Sequence, residues 1–435
     1  MMFKIRIFNF FRLISTSSSY HNRIHCDIAV IGAGIIGTSI ARQLKLQHND
    51  LEIYLVDKEA SAGSHQTSHN SGVMHCGVYY HPRSLKAKFC VEGIGLLQKY
   101  CDEKNIRYEK RGKIILARND NENLIIDKLM EQGIENNVSG LKMLESACEI
   151  REKASGCRGE RALWCPKTAN VDFKEVTLNL LKDFCNLNGK FLTNTKITKM
   201  NQICDSKYQL NIFTEDNTEI LTQYAVLCGG LQTGVLTRLV EESSHQQFIS
   251  FKVDYEKIKS KYCNNLETNV YPVPDLENPF LGAHFSPQNN DDILLGPLAL
   301  PALKIEGYSN EEININYIKQ IIMSCGFRNL IRRNFSVCLR EVSKAVCKET
   351  RIKELQKLLP NFSYQYIEKG PTAVQCQLLN EDGTFTNDFI INVFNDNSGR
   401  NVINLKFTPS PAATSCLAIA NYVAKEFNKK FTENN

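Results

Sequence analysis

Apolar residues recur along this chain with a period near two in some stretches and near 3.6 in others, and the switches between the two divide it into elements. The run from Ile28 to Ile31 predicts a buried strand, broken by Gly32, Gly34 and Gly37. Ile36, Ile40 and Leu44 then recur at helical spacing, and a second short apolar run, Ile53 to Val56, ends at Asp57. Strand, glycine turn, helix and strand make one βαβ unit. Further on, the pattern predicts helices over Leu85 to Tyr100 and Phe173 to Asn186, and a strand from Lys113 to Ala117. Residues 120–150 alternate in helical fashion. Strands are expected at Lys190 to Met200 and Tyr208 to Phe213, and the segment YAVLCGG, 224–230, reads as a buried strand closing on Gly229 and Gly230.

From residue 248 to 300 the character changes. VYPVPD, PFLGAHFSP and ILLGP are short runs separated by Pro, Gly and Asn, as in an antiparallel meander, and they mark a second domain. Residues 311–359 read as two or three helices with charged faces, stopped by Pro360. Strands follow at Thr372 to Leu378, Phe389 to Val393 and Val402 to Phe407, then a last helix from Pro411 to Phe431 whose start, PSPAATS, is made of small residues. The fold class is α/β with mixed α+β character: an interrupted nucleotide-binding domain with a sheet domain inserted. The expected division is 26–107, 148–247 and 365–432 for the first, and 108–147 and 248–364 for the second.

Gly32, Gly34 and Gly37 have the GxGxxG spacing of a dinucleotide-binding turn, in which the glycines serve the tight turn, the approach of a pyrophosphate and helix packing respectively. The N–H groups and positive dipole end of the following helix suit an anionic diphosphate. Asp57, at the next strand end, suits the hydroxyls of a ribose and disfavours a 2′-phosphate.

Composition narrows the choice of partner. The net charge is +5, but Lys4, Arg6, Arg12 and Arg23 supply four of those charges in the first 25 residues, so the rest is near neutral and carries no nucleic-acid footprint. Residues 1–25 contain no acid, several Arg and Lys, and a serine run at 15–19, the composition of a mitochondrial targeting segment. No apolar run reaches the roughly 18 to 20 residues that span a bilayer, so any membrane contact would be peripheral. The sixteen cysteines show no zinc spacing, and no metal site is expected.

The densest chemistry lies in HQTSHNSGVMHCGVYYHP, residues 65–82, with histidines at 65, 69, 75 and 81. It lacks periodicity and is expected as a loop against the nucleotide domain.

Together with RSLKAKFCVEG after it, and with YPVPD, PFLGAHFSP, ILLGP and PSPAATS, this loop resembles the L-2-hydroxyglutarate dehydrogenases, mitochondrial enzymes of the D-amino-acid oxidase-like flavoprotein group. The resemblance runs from about Asp27 to about Ala420. It implies a glutathione-reductase-type FAD domain with an inserted mixed sheet, FAD as cofactor, and oxidation of L-2-hydroxyglutarate to 2-oxoglutarate by hydride transfer to flavin N5. The electrons would pass to a membrane quinone pool or its carrier. The implied FAD contacts are Gly32, Gly34, Gly37, Asp57, Gln66, Thr67, Asn70, Ser71, Gly72, Val73 and Gly229. His75, His284 and His81 are the candidates for the base that takes the hydroxyl proton. Tyr79, Tyr80, Lys252 and Gln375 are the candidates for holding the small dicarboxylic substrate.

The chain also departs from the family. Gln375 stands in AVQCQ where an arginine is expected, Lys252 and Val253 replace Arg and Gly, Leu298 follows GP in place of Asn, and Gly234 replaces an acid. A guanidinium lost from a carboxylate contact removes roughly 1.5 to 3 kcal/mol. Two other readings therefore stay open: a flavoprotein of this fold acting on another hydroxy acid or an amino acid, and a flavin-binding protein with weak catalysis.

Overall fold

The computed structural model describes residues 22–203, 205, 207–241, 246–274, 282–394 and 401–433. Most of the expected targeting segment, and Asp275, Pro279, Phe280 and Leu281 of the expected meander, lie outside them.

The chain begins with β1 (Arg23–Ile31), α1 (Ile35–Gln47) and β2 (Ile53–Val56). A short strand, β3 (Val73–Met74), precedes the long helix α2 (Leu85–Lys104). Next come β4 (Tyr108–Glu109), β5 (Lys113–Ala117), α3 (Asp120–Glu135), β6 (Lys142–Leu144), α4 (Ala147–Lys153), β7 (Arg161–Cys165) and β8 (Ala169–Val171). After α5 (Phe173–Asn186) the chain forms β9 (Lys190–Leu192), β10 (Ile197–Gln202), β11 (Leu210–Thr214), β12 (Glu219–Leu227) and α6 (Thr233–Thr237). The inserted part holds β13 (Gln247–Lys259), β14 (Asn269–Pro272), β15 (His284–Pro287) and β16 (Asp292–Pro301). Four helices follow, α7 (Ile315–Met323), α8 (Cys325–Arg333), α9 (Phe335–Val346) and α10 (Lys348–Gln356). The last elements are β17 (Glu368–Leu379), β18 (Ile390–Phe394), β19 (Val402–Phe407) and α11 (Cys416–Glu433).

One sheet has the order β10-β11-β12-β1-β2-β9, with β19 and β18 continuing from the far end of β12. β9, β2, β1, β12 and β19 run parallel. Both faces are covered, as a parallel sheet requires. Ile28 and Val30 face α1 and α11 in one core, while Ala29 and Ile31 face a second core with Leu236 and Val240.

The second sheet has the order β17-β13-β16-β15-β14-β5-β7-β6 and is antiparallel except where β14 meets β5. Its strands alternate between two cores. Ile114, Val270 and Phe285 face Leu355, Leu358 and Phe362, whereas Ile115, Tyr271 and Cys165 face α3 and the segment around Cys76 and Val78. That second face is the one turned toward the histidine-rich loop.

Several expectations are corrected. β1 starts at Arg23, inside the expected targeting segment, because the long β12 offers partners down to Glu219, which also holds Arg23 in an ion pair at 2.8 Å. The strand expected over 190–200 is two strands on different neighbours, since Asn194, with φ of 53°, turns the chain between them. β7 and β17, expected with the nucleotide domain, are hydrogen-bonded into the second sheet, β17 along β13 and β7 along β5. Between residues 315 and 356 there are four helices, because Ser324 caps α8 by accepting from Phe327 N–H and Asn334 and Cys347 break the chain again. The last helix begins at Cys416, after a turn built on Pro409 and Pro411.

Candidate functional site

Two cavities meet at the open end of β1. The first, of about 340 Å³, runs from Gly32 and Asp57 past Gly229 and Gln232 to Glu306. The second, of about 170 Å³, runs from Gly34 along Asn70, Ser71, Val73 and His75 to Gln375 and the turn at residues 408–414. Gly34, Gln66, Thr67, Cys228 and Gly230 line both, so the two form one elongated cleft.

The glycines do what their spacing demands. A Cβ on Gly32, whose φ is +106°, would sit 2.2 Å from the Cys228 carbonyl oxygen, and one on Gly37 would sit 1.8 Å from that of Gly32. Gly34 differs. A Cβ there would meet only Thr67 Oγ1, at 3.4 Å, so the space before it is open to a ligand. Gly34 is also the N-cap of α1 and brings no side chain to the helix end, leaving that end available to an anion. A diphosphate fits this cradle.

Asp57 Oδ2 accepts from Ala33 N–H at 2.6 Å and Oδ1 from Glu59 N–H at 2.8 Å. Burial pushes this carboxyl up, against the pull of those two donors. It therefore locks the glycine turn to the end of β2 as well as facing the cavity. Beside it, Lys58 Nζ bonds Glu59 and Glu306 and lies 3.1 Å from His65 Nε2. This charged node ties β2 to the segment after β16.

The loop residues divide by role. Thr67 Oγ1 accepts from Ile35 N–H at 3.0 Å, and Gln66 Oε1 accepts from Cys376 N–H at 3.3 Å. Asn70 donates to the carbonyls of Gln66 and Thr67 and accepts from Gly72 N–H, so its amide is spent on shaping the loop. Gly72, with φ of +72°, makes the turn and lines neither cavity.

Of the three candidate bases, His75 alone lines the cleft. Its Nδ1 is buried without a hydrogen-bond partner, and its pKa is lowered to about 3, first by burial and then by Lys113 and His284. His284 stands behind it on β15, stacked on Tyr271 at 3.9 Å, with Nδ1 held by the Gly282 carbonyl at 2.8 Å and Nε2 unpartnered. Burial and Lys113 lower it to about 4, against the opposing Gly282 bond. His81 is exposed and bonds the Pro82 carbonyl, away from both cavities. Its nearness to His75 in the chain does not carry into space, because the turn after Gly77 points it outward.

Lys113 went unnoticed in the sequence reading. It is 1% exposed, lies 4.1 Å over the Tyr79 ring and 5.4 Å from that of Tyr271, and forms no ion pair among the described residues. Burial pulls its pKa down, but negative charge on the neighbouring Cys76, whose own pKa is lowered, and on Cys165 raises it overall. A lysine opening a strand buried at every position was the available signal. Tyr79, its hydroxyl unpartnered, thus belongs to the wall behind His75, while Tyr80 reaches Ser410 in the cleft-lining turn.

Lys252 is a correction. It lies in a separate cavity of about 570 Å³ between β13, β16 and α9, ion-paired with Asp254 at 2.8 Å and bonded to Asn310. Alternation along β13 puts 252 and 254 on one face, so the lysine meets an acid, outside the cleft at the glycine turn. Lys252→Ala is expected to leave KM for the substrate unchanged within about threefold and to lower stability by less than roughly 1 kcal/mol. Steady-state kinetics and thermal melts check this, and a tenfold rise in KM would defeat it. Val253 sits mid-strand, buried between Ala299 and Ala373, and needs no positive φ. At Gly234 an added Cβ would meet the Phe248 ring at 2.8 Å, so that ring fills the room an acid would need.

Residues 27–336 match the family model of the FAD dependent oxidoreductases. The human mitochondrial L-2-hydroxyglutarate dehydrogenase is 37% identical over 413 residues, covering 93% of this chain and 89% of that protein. The enzyme of the same name from Dictyostelium discoideum is 33% identical, with 93% of each chain covered. The chain belongs to the L-2-hydroxyglutarate dehydrogenase family. It is an FAD-dependent oxidoreductase. Among solved structures, the L-alpha-glycerophosphate oxidase of Mycoplasma pneumoniae, with FAD bound, superposes with a TM-score of 0.71 at 20% identity, covering 91% of this chain and 93% of that one. Glycine oxidase from Bacillus cereus gives 0.65 at 15% identity, over 93% and 95%. At such identities these two support the fold. No helix among the described residues is long and apolar enough to cross a membrane.

Proposed function

We propose that this protein oxidises L-2-hydroxyglutarate to 2-oxoglutarate in the mitochondrion and passes the electrons to a membrane quinone pool or its carrier. The observation that carries the reading is His75: a neutral imidazole, one nitrogen unpartnered, facing the cleft beside Lys113, a buried lysine with no ion pair among the described residues. FAD, when bound, supplies the acceptor for the hydride leaving the substrate's α-carbon. His75 takes the hydroxyl proton as the carbonyl forms, and the negative charge of the bound diacid raises its pKa from the depressed value of the free protein. Gly34 and the start of α1 hold the diphosphate, Asp57 faces the ribose, and the loop from Gln66 to Val73 shapes the flavin half of the cleft.

Lys113 supplies positive potential to the substrate's carboxylates from behind His75, in place of the guanidinium that Gln375 lacks. Gln375, which lines the cleft, offers a neutral amide in its place. Lys113→Met is expected to raise the substrate Kd about ten- to a hundred-fold while the protein keeps its FAD. Anaerobic titration read by flavin absorbance checks this; unchanged affinity would remove Lys113 from the substrate site.

The whole reading is tested by adding L-2-hydroxyglutarate to the purified yellow protein without oxygen. Bleaching supports it. The amide at 375 favours a second reading, a monocarboxylic hydroxy acid or an amino acid as substrate; bleaching by these alone would establish it.

A further inference from the structure

Helix α9 buries one residue, Val337, and presents an apolar stripe on its opposite side. Phe335, Leu339, Val342 and Val346 follow the spacing i, i+4, i+7, i+11, so they fall on one line along the helix. They are 60%, 55%, 49% and 84% exposed. Ile331 on the preceding helix, and Ile315, Ile322 and Met323 on α7, are exposed as well. A stripe of this length left open to water is not a feature of an ordinary surface helix.

Charge identifies the occupant. Across residues 315–346, six lysines and arginines stand against the single acid Glu341, a surplus of five in a chain whose net charge is +5. Arg333 has Asp382 at 3.6 Å, and Lys344 and Arg340 share Glu341 at 2.9 and 3.9 Å, whereas Lys319, Arg328 and Arg332 form no ion pair among the described residues. A second copy of the same face would bring like charges together. A face combining aliphatic and aromatic side chains with a basic rim matches an anionic lipid surface, where the stripe enters the headgroup boundary and the rim meets phosphates.

We infer that the α7–α9 face docks the protein on an anionic bilayer surface, α9 lying in the interface. The inference stands on this surface alone and is independent of the electron-acceptor reading.

The test is co-sedimentation of the full chain with phosphatidylcholine vesicles and with phosphatidylcholine–phosphatidylglycerol vesicles, across salt concentrations. The wild type is expected to bind the anionic vesicles and to release as salt rises. Phe335→Ser/Leu339→Ser/Val346→Ser is expected to partition roughly tenfold or more weakly. Arg328→Gln/Arg332→Gln is expected to lose roughly fivefold per charge removed, on anionic vesicles only. Both variants keep wild-type turnover with a soluble dye as acceptor, which separates docking from catalysis. The inference is overturned if the wild type ignores anionic vesicles, if either variant binds as the wild type does, or if gel filtration shows that the triple variant abolishes a dimer instead.

Discussion

His75→Ala slows single-turnover flavin reduction by L-2-hydroxyglutarate by about 10² to 10⁴-fold while FAD content stays at the wild-type level. Of the three candidate bases it alone lines the cleft; His65 and His69 line it too, but His65 is bonded to Glu59 and Tyr308, and His69 Nδ1 to the His65 carbonyl. His284 has one nitrogen fixed by Gly282, and His81 points to solvent. The pH profile adds a second readout. A base must be neutral to act, and an ordinary imidazole would be half protonated near pH 6.5. Burial and Lys113 hold His75 at about 3 in the free protein, so kcat/KM does not fall on its account between pH 8 and 6. The bound diacid raises it, and the acid limb of kcat lies at higher pH than that of kcat/KM. A near-normal reduction rate in His75→Ala, or a kcat/KM limb at ordinary imidazole pKa, would remove this residue as the base.

Gly34→Val yields a folded but colourless protein. The space in front of Gly34 is closed only by Thr67 Oγ1, and its backbone, at φ −67° and ψ 175°, is one that valine adopts freely. The fold therefore accepts the side chain, but its methyls occupy the position from which the backbone meets a diphosphate. The expected loss in FAD affinity is at least roughly a hundredfold, about 2.7 kcal/mol. Far-ultraviolet circular dichroism and flavin absorbance check the two halves separately. A yellow Gly34→Val protein would mean that the cofactor does not lie across the glycine turn. Gly37→Val is the contrasting case. There the added carbon meets the Gly32 carbonyl, and the strand and helix themselves must move apart.

The difference between these two glycines shows what reading residues in order can reach. The GxGxxG turn, α1, β2 and Asp57 were legible because the pattern that marks them, from the apolar run of β1 to Asp57, occupies about thirty consecutive residues. The interrupted nucleotide domain was legible for a related reason: continuous apolar runs mark strands covered on both faces wherever they occur. The family resemblance supplied FAD and the substrate, neither of which spacing decides.

Only the tertiary structure sorted the histidines, because exposure depends on which sheet lies across the loop, and that sheet is assembled from strands as far apart in the chain as β5 and β15. It also found Lys113, whose neighbours Tyr79, Cys165 and Tyr271 come from three distant segments, and dismissed Lys252, which alternation along β13 turns toward Asp254. Hydrophobic periodicity reports how each segment meets its immediate surroundings. The pairing of a buried charge is decided by whichever segments the fold brings against it, and no local pattern records that.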